Sequence, residues 1–239
     1  MIILNTFLFY FACFFIYSTI GWIIETTLIS IKHKKFINRG FLIGPYCPIF
    51  GYGTILMILY LTQYKKNLLT VFILGAVICS ILEYLTSYIM EVLFKTRWWN
   101  YGKSKFNLNG RICLEASCFF GLGGIIVIYL TQPFLNNILN SIPLNMFRAI
   151  TVFFLIIYLI DTVISLNIIT KFKNTLTNIE LKKDSSLEFN KLVSKTLKNK
   201  HQIFQTRLLN AFPDINFDKL INLEKELKND IKELLKRDN

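Results

Sequence analysis

A chain of 239 residues that is 53% hydrophobic, with a mean hydropathy of +0.45, is too apolar for a water-soluble domain. Its net charge of +12 lies in particular loops and in the tail, where it orients a membrane protein or meets anionic lipid, so it does not point to nucleic acid. Five cysteines without a CxxC pair, and two distant histidines, His33 and His201, argue against a disulfide framework, a metal centre or any cofactor.

The sequence predicts an all-α, polytopic membrane protein with five transmembrane helices. The spans fall at about 4–28, 48–61, 68–94, 112–130 and 149–169, against a requirement of about 20 apolar residues. The first has no basic leader and no small-residue cleavage site, and it holds Glu25, so it reads as a span and not a signal peptide. Residues 1–169 form the membrane domain and 170–239 a polar, cytosolic tail.

Between the first two spans lies NRGFLIGPYCPIFGYG (38–53), with four glycines, two prolines and one arginine. Its prolines remove backbone donors and its glycines permit turns. It reads as irregular backbone at the membrane edge that starts a helix near Pro48. An ordinary loop before a kinked helix is the alternative.

Charge counting sets the orientation. The loops after spans one and three carry four and five Lys or Arg; those after spans two and four carry two and, with Arg148, one. The tail carries fifteen. Basic loops stay in the cytoplasm, which puts the N-terminus outside and the tail inside a bacterial cytoplasmic membrane.

Five acids interrupt the spans: Glu25, Glu83, Glu91, Glu115 and Asp161. A charge at the bilayer centre costs at least about 2.5–3.5 kcal/mol. In the expected orientation all five lie in the cytoplasmic half, and Arg39, Arg97 and Arg111 approach the same level from loops. Gly75, Cys79, Glu83, Ser87 and Glu91 recur every fourth residue as one stripe. Ser18, Gly21 and Glu25 share a face, as do Tyr158, Asp161 and Ser165. Arg111 and Glu115 have pairing distance on a helix.

Facing stripes would line a polar cavity open to the cytoplasm, with Glu25, Arg39, Glu83, Arg111, Glu115 and Asp161 as its ligands. Ser87, Glu91, Arg97, Asn100 and Asn109 are secondary members. The same acids could instead be paired ties between helices, with no substrate. The loop RWWNYGKSKFNLNGR (97–111) is either an aromatic interface belt or a cap whose Arg and Asn side chains meet an anionic group.

The tail shows Ser185 and Glu188 at capping-box spacing, then two stretches of helical periodicity broken at Pro213. It reads as a helical hairpin, folded on itself or bound to another chain's helix. A basic amphipathic face lying on anionic lipid is the alternative.

GWIIE (21–25), NRGFLIGPYCPIFGYG (38–53), LEYLTSYIMEVLF (82–94) and RWWNYGKSKFNLNGRICL (97–114) resemble the CmpB-like, type IV family of bacterial ABC-transporter permeases. The resemblance covers roughly the first 130 residues. It implies a transport component of the cell membrane. The family pattern tends to WWDYS where this chain has Trp98-Trp99-Asn100-Tyr101-Gly102, so an acid is missing at 100. The chain holds no GxxxxGK[ST] phosphate loop, so an ABC role needs a separate ATP-binding subunit. Five spans would build a pathway as a homo-oligomer.

Three readings follow. The first is a permease-like component handling a small solute or ion at its acids. The second is a membrane enzyme acting on a lipid-linked or phosphate-bearing substrate, which lacks a visible nucleophile-and-base constellation. The third is a scaffold whose acids only lock helices.

Overall fold

The structure is a computed structural model that describes residues 2–94 and 97–180, with side chains at 4–94 and 97–170. It divides into two compact units, Met1–Thr86 with Asn100–Ser165, and Ser87–Trp99 with Leu166–Asn239. The expected hairpin of the tail lies outside the described residues.

Among the described residues six α-helices follow in order: α1 (Ile2–His33), α2 (Pro48–Leu61), α3 (Leu68–Phe94), α4 (Leu114–Ile126), α5 (Gln132–Ser141) and α6 (Leu144–Glu180). A two-stranded antiparallel hairpin, β1 (Asn107–Leu108) and β2 (Ile112–Cys113), precedes α4. Among the described residues, four stretches are long and apolar enough to cross a membrane: Leu4–His33, Leu68–Phe94, Leu114–Ser141 and Leu144–Thr170.

The expected second span differs. Its helix has 14 residues, which reach about 21 Å against a hydrocarbon core of about 30 Å. Helix α2 begins part-way along α1, because the Cys47 amide donates to the Ser18 carbonyl at 2.9 Å. Pro48 occupies its first turn, where no amide donor is needed.

The boundaries of the last two spans differ as well. The stretch 131–146, expected as a loop, is mostly helix α5. A π-helical turn over Val127–Thr131 joins α4 to α5, so the helix runs on through Pro133. A wider turn accommodates a residue that has no amide donor. Helix α6 begins at Leu144 and continues past the expected end at 169.

In the first unit, side-chain contacts fix the helix directions. Gly21 meets Phe50 and Gly51 meets Ser18 and Phe14, so α1 and α2 are antiparallel. Gly53 lies against Cys79 while Gly75 lies against Leu61, which makes α3 antiparallel to α2. The Ser80 and Ser117 hydroxyls, 2.7 Å apart, and the abutting Gly75 and Gly124 reverse the direction again for α4. At one end of α1 and α6 the Arg148 Nε donates to Asn5 Oδ1 at 2.9 Å, and further along Phe14 meets Tyr158 at 5.3 Å. These two helices therefore run parallel. Helix α2 is too short to be among the candidate spans, so the expected five spans are four among the described residues.

Gly51 lets α1 and α2 approach this closely. A Cβ there would overlap the Ser18 hydroxyl and lie 2.6 Å from the Phe14 carbonyl oxygen. Gly51→Ala is expected to destabilise the protein by about 1–3 kcal/mol, the usual range for overpacking. Thermal unfolding in detergent measures it, and an unchanged midpoint would contradict the packing.

Candidate functional site

Two polar groups of the first unit contain expected acids. One is built on Asp161 of α6. Its Oδ1 accepts from the Ile43 amide at 3.0 Å and from Ser165 Oγ at 2.9 Å. Its Oδ2 accepts from the Gly44 amide at 2.7 Å and from the Tyr46 hydroxyl. Two successive amides aimed at one carboxylate form a small anion-binding concavity. Asp161 fills it. Irregular backbone at membrane depth needs protein partners for its polar groups, and this acid supplies them. Asp161 is thereby an anchor for the segment before α2.

The other end of that segment is tied to α1. Trp22 Nε1 donates to Asn38 Oδ1 at 2.8 Å, and the Arg39 amide donates to Thr26 Oγ1 at 3.2 Å. The Arg39 side chain forms an ion pair with Glu25 at 3.1 Å; their side chains are 16% and 37% exposed. Glu25 thus has a fixed cation.

Glu83, on α3, has none among the described residues. Its carboxylate takes one hydrogen bond, from the Tyr101 hydroxyl, at a long 3.3 Å. Burial, then the Glu83 carboxylate, push the Tyr101 phenol well above its ordinary pKa, and Glu25 adds to the push from further away. Tyr101 is therefore a protonated donor at neutral pH.

The loop between α3 and α4 folds back to build the neighbourhood of Glu83. The Tyr101 amide donates to the Gly110 carbonyl at 2.8 Å. Asn109 Nδ2 donates to the Tyr84 hydroxyl at 2.9 Å, and the buried Arg111 holds its guanidinium carbon 5.6 Å from the Tyr84 ring centre. Arg111 precedes the helix, so the helical spacing expected to pair it with Glu115 does not apply. Glu115 is exposed in the first turn of α4, where the helix dipole favours an acid.

Asn100 is exposed, and its Oδ1 accepts from the Gly102 amide at 2.8 Å. This Asx turn shapes the loop, and a carboxylate would accept the same bond. Asn100→Asp is therefore expected to leave stability within about 0.5 kcal/mol and transport unchanged. A change of more than tenfold in transport rate would show that the acid has a role beyond the turn.

In the second unit, Arg97 Nε and Glu91 Oε2 pair at 3.1 Å, and Ser87 is buried. The five described cysteines are free thiols, four of them buried.

Sequence reasoning named Asp161 with Ser165 on its face, and named Glu25 and Arg39 without pairing them, but missed the other partners of Asp161. Tyr46 and the Ile43 and Gly44 amides carried a signal in the Gly44-Pro45 break, which marks backbone that needs an outside acceptor. Tyr84 and Tyr101 carried none beyond belonging to an aromatic-rich region.

A family model described as "Putative ABC-transporter type IV" matches residues 12–166, more than half of the chain. No curated protein and no solved structure matches. The matched range includes the polar groups around Asp161 and Glu83.

Proposed function

Because the chain belongs to the ABC-transporter type IV family and is a membrane transport component, we propose that Glu83 is its substrate-side acid and that a cation is what it takes. One observation carries this. Among the described residues, two acids inside a span lack a strong fixed partner, and of these Glu115 is exposed at a helix start while Glu83 lies half-buried in the middle of α3. Glu25 has Arg39, Glu91 has Arg97, and Asp161 has four donors. A carboxylate at that depth requires neutralisation, and a mobile cation supplies it reversibly. Fixed partners would compete with a passenger; a single long bond from Tyr101 does not.

Glu25 and Arg39 stand beside this acid as a charge pair that exchanges partners when a cation arrives. Arg111 and Asn109 hold the loop that carries Tyr101. Asp161 serves the site indirectly, by fixing the segment before α2. A polar cavity open to the cytoplasm, with Glu25 and Glu83 at its wall and Glu115 outside it, fits this reading. Positive-inside counting favours an outer N-terminus and a cytoplasmic tail. A separate ATP-binding subunit, and more than one copy of this chain, complete the transporter in this reading.

The test is cation flux in reconstituted vesicles containing whatever subunit co-purifies. Glu83→Gln should abolish it while Glu115→Gln, at an exposed helix start, should not. Equal loss in both, or in neither, would overturn the assignment.

A further inference from the structure

The hairpin before α4 has an inner and an outer side. Tyr101 and the buried Arg111 turn inward, and the exposed Asn109 reaches the Tyr84 hydroxyl. Phe106 and Leu108 do not turn inward: they are 82% and 59% exposed. Phe106 adopts a left-handed backbone conformation, φ 51°, which is uncommon for a bulky aromatic residue. Its carbonyl accepts from the Leu114 amide at 3.2 Å, so the conformation is tied to the start of α4. Lys103 and Lys105 flank it and are also exposed.

Two observations say what covers this face. The first is depth. The hairpin is bonded to Tyr84, which lies about 24 Å along α3 from Leu68, within the roughly 30 Å hydrocarbon thickness. An aromatic tip held at that level meets the boundary of the bilayer. The second is charge. The two lysines beside the apolar pair can lay their stems along lipid and keep their ammonium groups at the headgroups. A soluble partner would need this face to stand clear of the membrane.

We propose that Phe106 and Leu108 insert into the interfacial region of one leaflet, with Lys103 and Lys105 on anionic headgroups, so that lipid anchors the loop carrying Tyr101. The insertion is independent of the cation assignment at Glu83, because it concerns the opposite side of the hairpin.

The test is spin labelling of the full chain in vesicles. Phe106→Cys and, separately, Leu108→Cys are made in a Cys118→Ser background, since Cys118 is the exposed one of the five described cysteines. Each nitroxide should be relaxed more by oxygen than by a water-soluble nickel chelate, in mixed phosphatidylglycerol and phosphatidylcholine. Reversing both lysines, Lys103→Glu with Lys105→Glu, should move the labels toward water. Labels accessible mainly to nickel at both positions would overturn the insertion. So would labels immobilised only on addition of a soluble protein. Depth that ignores both lipid charge and lysine reversal would overturn the headgroup contact. Two reporter positions guard against one label disturbing the turn.

Discussion

Asp161→Ala should cost the protein more stability than any other single substitution of its intramembrane acids. Four donors lose their acceptor at once: the Ile43 and Gly44 amides and the Tyr46 and Ser165 hydroxyls. Each buried donor left unsatisfied costs about 1–3 kcal/mol. The total is several kcal/mol, a large part of the roughly 5–15 kcal/mol that holds a protein folded. At about 2–4 °C per kcal/mol, the unfolding midpoint in detergent should fall by roughly 10 °C or more. Asp161→Asn retains one acceptor oxygen but turns an amide donor toward the other donors, so its loss should be intermediate. Tyr46→Phe removes one donor and should cost least. That order is the signature of a carboxylate clasp. Equal midpoints for the wild type and Asp161→Ala would contradict it.

Glu83→Gln should do the reverse: the fold survives and transport fails. The glutamine is nearly isosteric and still accepts the Tyr101 hydrogen bond. It can neither carry a negative charge nor balance a cation. Losing one charge-assisted contact of about 1.5–3 kcal/mol corresponds to roughly 10- to 100-fold in affinity. The unfolding midpoint should stay level or rise, because the cost of an uncompensated charge in the bilayer disappears. Tyr101→Phe should be milder, since it removes a single long hydrogen bond and leaves the carboxylate in place. Cation flux and thermal unfolding, measured on the same preparations, separate this variant from those of Asp161.

The helices were legible because their apolar runs are long, and the residues that break those runs were legible as candidates. Pro48 as a helix start followed from proline chemistry alone. The length of α2 did not. Its apolar run is continuous with the neighbouring segment, and only the Cys47–Ser18 bond reveals that the helix begins inside the bundle. The stretch 131–146 is expected as a loop, yet the π turn over Val127–Thr131 carries the helix on through Pro133. A propensity argument cannot see a local change of helix type.

The candidate site divides in the same way. Glu25, Glu83 and Asp161 stood out because charge is costly at their depth. Which of them had partners could not be read, because the partners come from loops that fold back: Arg39 onto Glu25, Tyr101 onto Glu83, and Ile43, Gly44 and Tyr46 onto Asp161. Arg111 was misjudged for the opposite reason. Its spacing to Glu115 assumes a helix that starts only at Leu114, after both strands of the hairpin.

The most direct measurement is infrared difference spectroscopy of the protein in lipid nanodiscs, titrated with small monovalent and organic cations and with acid. The expected result is a carboxyl band that responds to cation and proton in competition, present in the wild type and absent in Glu83→Gln. A band that ignores every cation, or one that persists unchanged in Glu83→Gln, would contradict the assignment of Glu83 as the acid that holds a mobile charge.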